Sequence, residues 1–220
     1  PKKNPQKLPP ITATQLSDRA EWRGGTHGLD GWRYRELRLL PQGIWELLAD
    51  FFNAMEAHED PSWPEALCWG SIPLLPKEGP PGPVNLRPLT VVGVIYRIRA
   101  GVRAAQMRDW QETWIHPSLH GGRAGHETLD GVFETNLHLE QAQSESTPLY
   151  LLLLGYRKFF DFIFTELIWG LASWWGMPTG IVRLLRAFYV DLTSVFKLNG
   201  HLGTPMEKNK FPMRRDAPSQ

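Results

Sequence analysis

Three groups of residues in this chain could do chemistry. The first closes an apolar run. Leu149 to Leu154 is followed at once by Gly155, Tyr156, Arg157, Lys158, two phenylalanines and the acid Asp161. A run of that length suits a strand buried on both faces, and a buried strand that delivers polar groups at its C-terminal end is a rigid mount for a site. The second group is a row of arginines, Arg97, Arg99, Arg103 and Arg108, within residues 93–114, where only Asp109 and Glu112 oppose them. Guanidinium groups on one helix can bind phosphates with little sequence preference and with strong salt dependence; the alternative is an ordinary amphipathic helix with a solvated charged rim. The third is the close set His116, His120 and His126. Zinc would need a fourth ligand and a tighter spacing, so no metal is expected there.

Periodicity supplies the elements that would hold these groups. Residues 43–56 predict an amphipathic helix, with Ile44, Leu47, Leu48, Phe51, Phe52 and Met55 on one apolar face. Residues 93–114 predict one long helix whose buried stripe is Ile95, Ile98, Val102 and Ala105; Arg99 and Arg103 flank that stripe on one side, Arg97 and Arg108 on the other. Residues 66–76 and 85–92 read as strands separated by a Gly/Pro loop. Asp30 can cap a short helix running to Leu40, and Thr165 can cap another. A helix starting near Leu129 ends at residues 144–147, and residues 192–206 read as strand, Asn199-Gly200 turn and return strand.

Composition narrows the class. Hydrophobic residues make up 42% of the 220 and charged residues 21%, enough apolar surface for a folded core. The formal charge is +1, so any nucleic-acid surface has to be local. A single cysteine, Cys68, rules out an internal disulfide and fits a reducing compartment. No apolar run is long enough for a membrane helix, and no apolar segment follows the N-terminal Pro-Lys-Lys-Asn-Pro as a secretory signal would require. The expected location is intracellular, cytoplasmic or nuclear, with no membrane partner. Residues 1–20 read as linker or disordered, and the chain as a piece of something longer.

Several of these stretches, in order, resemble the reverse transcriptases of non-LTR (LINE-type) retrotransposons. The run from Leu149 through Asp161 is similar to motif A, with Lys158, Phe160 and Asp161 in register and Gly155 where the catalytic aspartate would stand. "GLDG" (residues 28–31) is similar to the G-x-D-G that precedes the fingers, although a glycine loop with a cap would read the same way. "LLPKEG" and "LRPLT" are similar to the two arms of the fingers hairpin. Gly122 or its neighbour, Arg123, Gly125 and Thr128 fit the following motif in order, with His120 in place of its usual glutamine and without its aromatic. The similarity spans about residues 24–205, fades where motif B should begin, and includes no Tyr-x-Asp-Asp of motif C.

The resemblance implies an α+β fold: the fingers and partial palm of a right-hand polymerase, helix-rich with a small antiparallel sheet. It places fingers-like structure over residues 21–115 and a partial palm with a helical insert over residues 116–220. It assigns Lys77 and Arg87 to the triphosphate of an incoming nucleotide and Phe160 to its sugar, with Tyr156, Lys158 and Asp161 completing motif A. Arg97, Arg99, Arg103, Arg108 and Arg123 become candidates for nucleic-acid contact. The implied partners are an RNA or DNA template-primer, bound weakly, and the remainder of a retrotransposon polyprotein. Intact members use Mg²⁺ held by carboxylates of motifs A and C, and both are missing here. The expectation is therefore a reverse-transcriptase domain fragment, inactive as it stands and needing no cofactor; the alternative is a non-catalytic nucleic-acid-binding protein that keeps the fingers surface.

Overall fold

The computed structural model describes residues 3–21, 25–80, 82, 85–156 and 163–206. These form two compact units, one built from Pro1–Gln106 with Asp161–Gln220, the other from Met107–Phe160. The boundary falls inside the helix predicted over residues 93–114, which breaks at Met107, whereas the sequence suggests a division at residue 115.

In the larger unit, α1 (Ala13–Glu21), α2 (Tyr34–Leu37), α3 (Gln42–Ala57) and α4 (Val94–Gln106) share one core with α8 (Thr179–Asp191). The later part of the segment expected as linker or disordered over residues 1–20 is helical: α1 buries Leu16 and Ala20 completely, and Asn53 ties down Ile11 through both of its backbone groups at 2.8 Å, while residues 3–12 form neither helix nor strand. The buried stripe of α3 is Trp45, Ala49, Phe52 and Met55, whereas Leu47 is 65% exposed. Periodicity found this helix but placed its inward face slightly to one side. The difference matters, because the rotated face carries Glu56 inward as well.

An aromatic cluster anchors the core. The Tyr96 and Phe188 rings stack at 3.7 Å, and Trp63 lies 5.3 Å from each. The indole N–H of Trp63 donates to the Leu184 carbonyl at 2.8 Å, so its one polar group is satisfied. Burial pushes the Tyr96 phenol well above its ordinary range, with Tyr189 adding to the effect.

β1 (Trp69–Pro76) is the centre of a five-stranded sheet. It pairs antiparallel with β2 (Leu86–Pro88) and β3 (Val91–Val92), so the two apolar runs around the Gly/Pro loop do form the expected hairpin. Its other neighbour, β4 (Thr193–Leu198), runs parallel, and β5 (His201–Leu202) returns antiparallel to β4. The sheet is thus mixed, not antiparallel as expected. Parallel neighbours need a long crossover, and more than a hundred residues separate these two in sequence. The Asn199-Gly200 turn is as expected, with φ of 49° and 84°, the positive pair that a two-residue hairpin turn needs.

The glycines of "GLDG" work at a distance. A Cβ on Gly28 would lie 2.8 Å from the Gly93 backbone, so the loop rests directly on the start of α4. That contact brings the Asp30 carboxylate to the Val94 N–H at 2.9 Å. Asp30 therefore caps α4, not the short helix beside it in sequence; Gly93 has no side chain with which to cap, and a carboxylate complements the helix dipole. α7 (Thr165–Trp174) likewise lacks the expected side-chain cap, since Thr165 is already helical.

The smaller unit contains α5 (Arg108–Glu112) and α6 (Thr128–Ser144). A reciprocal box, in which the Asp130 carboxylate accepts the Glu127 N–H at 2.7 Å, starts α6. The run Leu149–Leu154, expected as a buried strand, is neither strand nor buried: Leu153 is 92% exposed. Apolarity favours burial, but a strand exists only where a neighbour supplies the hydrogen-bonding ladder, and no described segment pairs with this one. Among the described residues no helix is long and apolar enough to cross a membrane.

Candidate functional site: the cationic tip of the sheet

The base of the sheet is buried on both faces, through Ser71, Ile72, Ser194 and Val195, while its far end projects into solvent. The Lys77 N–H donates to the Asn85 carbonyl at 3.0 Å, extending the hairpin ladder by one residue beyond the Pro76–Leu86 pair. With Leu75 opposite Arg87, strand alternation places Leu75, Lys77, Asn85 and Arg87 on one face. Lys77 and Arg87 are diagonal neighbours there, at the ~7–8 Å typical of such pairs. Both are exposed, and neither forms an ion pair with a described residue. The Asn85 side chain donates to the carbonyls of Glu78 and Pro80, at 3.3 and 3.0 Å, and so braces the connecting loop.

The parallel pairing adds a cation that sequence reasoning missed. Lys197 stands opposite Pro73, on the face that carries Leu75 and Arg87. Two strands and two residues separate Lys197 from Arg87, on the order of 12 Å between Cα atoms. The alternation of β4 puts Lys197 on the same side as the buried Val195, but only knowledge of its parallel neighbour assigns it to this surface. Three cations on one projecting face can hold a polyanion, with Arg87 able to grip a phosphate bidentately and the lysines acting as point charges.

The arginine row behaves differently. Arg99 and Arg103 are 1% and 5% exposed, inside the larger unit, where both pair with the Glu56 carboxylate. Arg103 also donates to the carbonyl of Pro9 at 2.7 Å and to the Gln106 side chain. Burial lowers the pKa of the Arg99 guanidinium, and Glu56 works against that shift. These two side chains are braces between α3, α4 and the N-terminal segment, which corrects the expectation of a four-arginine outer surface. Arg97 is half-buried, donating to the Thr26 carbonyl at 2.6 Å and lying over the Tyr34 ring at 5.5 Å. Arg108 is exposed and belongs to the smaller unit.

Arg123 closes a loop of its own unit. It contacts Glu112 at 3.2 and 2.5 Å and donates to the carbonyls of Pro117 and Leu119 at 2.8 and 3.1 Å. Of the three histidines, His120 and His126 meet, while the His116 ring accepts the Ser118 N–H at 3.3 Å.

A Cβ added at Gly155 would meet no described residue within 4 Å. Tyr156 is exposed. Lys158, Phe160 and Asp161 lie outside the described residues. No protein-family model matches this chain, and no curated protein is significantly similar to it.

Proposed function

We propose that this chain is a reverse-transcriptase-like domain of the LINE type that keeps the anion-binding arms of the fingers and lacks polymerase chemistry. The observation that supports it is the hairpin. Two cations predicted from separate motifs, ten residues apart in sequence, share one exposed face at the end of a braced loop. In the family, that pair meets the triphosphate of the incoming nucleotide.

The two-metal centre of intact members does not fit these residues. The glycine at position 155 offers no side-chain ligand, and no described side chain stands within 4 Å of where its Cβ would be; the 220 residues contain no Tyr-x-Asp-Asp. Divalent cations of that class are held by several oxygen ligands. No polymerisation step is therefore derived. What remains is non-catalytic binding of a phosphate backbone or a nucleotide by Lys77, Arg87 and Lys197.

Fluorescence anisotropy of the full chain with a labelled template-primer tests this. Expected is a Kd of roughly micromolar or weaker at physiological salt, falling in affinity as salt rises. Arg87→Ala and Lys77→Ala should each weaken binding and flatten the salt slope by about one unit. Binding that is indifferent to salt, or unchanged in the double variant, would overturn the reading. Primer extension by Gly155→Asp with Mg²⁺ should stay at background; extension would show that the missing carboxylates are not limiting.

A further inference from the structure

The loop before α6 and the first two turns of that helix bring together four groups spread over residues 120–134. The Nδ1 atoms of His120 and His126 face each other at 3.1 Å, with ring centroids 5.3 Å apart. The Asp130 carboxylate lies 4.0 Å from His126 Nδ1, and one ligand atom from each of the three falls within 4.8 Å of the others. The second nitrogen of His120, Nε2, faces Glu134 Oε2 at 3.2 Å, and Glu134 accepts the Ser118 hydroxyl at 3.2 Å. These contacts hold the Glu134 carboxyl below its ordinary range, the His120 contact contributing most.

We propose that His120, His126 and Asp130 form a binding site for zinc or a similar first-row divalent cation, oriented by Glu134. This does not depend on the function proposed above. Zinc–nitrogen bonds are about 2.0–2.1 Å, so two imidazoles on a tetrahedral zinc place their nitrogens about 3.4 Å apart. The observed 3.1 Å needs an adjustment of a few tenths of an ångström. A proton donated from Nε2 to Glu134 leaves the Nδ1 lone pair free to face the cation, which is the usual way a carboxylate fixes a metal-binding histidine.

Asp130 is anchored independently, because its capping bond to Glu127 holds the carboxylate beside His126. The fourth position opens on a groove of about 410 Å³ lined by Phe133, Glu134 and Leu137, with room for water or a ligand. The donor set selects the ion: two imidazoles with one carboxylate suit zinc and its first-row neighbours, whereas Mg²⁺ and Ca²⁺ favour oxygen cages. The third protein ligand is thus an acid, Asp130, four residues beyond His126, and not His116.

Metal binding to the full, metal-free chain tests the proposal, using Co²⁺ absorbance and Zn²⁺ calorimetry. Expected is one ion per chain, with the visible d–d bands of a four-coordinate Co²⁺ site that Zn²⁺ abolishes and millimolar Mg²⁺ does not. His126→Ala should weaken Zn²⁺ at least tenfold, and Glu134→Gln by about 10–100-fold, with circular dichroism checking that both remain folded. Glu134→Gln keeps the shape of the side chain and does not touch the ion, so it reports the orienting contact even if the histidine variant loses structure. His201→Ala, in the other unit, should bind as the parent does. No saturable binding at micromolar Zn²⁺, competition by Mg²⁺, or unchanged affinity in both His126→Ala and Glu134→Gln would overturn it.

Discussion

α4 and α6 are both long, both rich in apolar residues, and treated in opposite ways by the fold. α4 buries Val94, Tyr96, Ile98 and Val102, and takes two arginines inside with them. α6 buries nothing: Leu129, Val132, Phe133 and Leu137 are all exposed, Phe133 at 65%. The same contrast holds between the units that contain them. The larger unit has a continuous core of helices and aromatic rings. Among the described residues of the smaller one only Trp110 is buried, and polar, local ties such as Arg123 to Glu112 and His120 to Glu134 hold its loop. Apolar content therefore says little about where stability resides. What counts is whether a second apolar surface closes over the first.

The sharpest way to break this contrast is to remove Glu56. One carboxylate there serves two buried guanidinium groups, and its loss leaves neither charge with a described carboxylate, Arg103 keeping only the neutral acceptors of Pro9 and Gln106. Glu56→Ala should cost about 3–5 kcal/mol in chemical denaturation. A loss under about 1 kcal/mol would mean that the arginines reach water and the core is less closed than described.

Next in size is a paired comparison of apolar truncations. Leu184→Ala, at a fully buried position of α8, should lower stability by about 2–5 kcal/mol. Phe133→Ala removes a larger side chain from α6 and should change it by no more than about 0.5 kcal/mol. Equal effects would show that α6 has a covered face after all.

A smaller effect is expected at Asp30. Asp30→Ala removes the cap of α4 and should cost about 1 kcal/mol, with faster amide exchange confined to the first turn of that helix. If exchange instead rises in residues 34–40, the cap serves the neighbouring helix, as the sequence alone suggests.

The smallest effect concerns pH in the other unit. The hydrogen bond from Arg123 holds the Glu112 carboxyl below its ordinary range. A folded pKa below the unfolded one means that the contribution is complete above the unfolded carboxylate range and is lost as pH falls through the lowered value. Glu112 is exposed and Arg123 is otherwise tied to its own loop, so the change should be local: amide shifts of residues 116–123 should move in acid before the core unfolds. Arg123→Gln should abolish that early transition.

Much of the local structure was legible because its causes are local. The period of α3 comes from spacing along one helix. The β1–β2 hairpin follows from two apolar runs around a Gly/Pro loop, and the β4–β5 turn from Asn-Gly, whose residues accept positive φ. The pairing of Lys77 with Arg87 was legible for the same reason, since a hairpin fixes which side chains share a face.

The failures share a different cause. That Leu149–Leu154 is apolar could be read directly; whether a neighbour would supply its backbone hydrogen bonds could not. Arg99 and Arg103 carry charges that favour a surface, and only Glu56, 43 and 47 residues away in sequence, makes their burial tolerable. Asp30 was recognisable as a cap, but the helix it caps begins 64 residues later. Lys197 joins the cationic face through a parallel pairing that no local pattern specifies. His120 and His126 meet because a loop folds back onto the start of α6, with Asp130 and Glu134 carried in by the helix. Propensity and period act within a few residues, and so the sequence determined the elements. Charges, caps and ligands find partners through space, and that choice belonged to the tertiary structure.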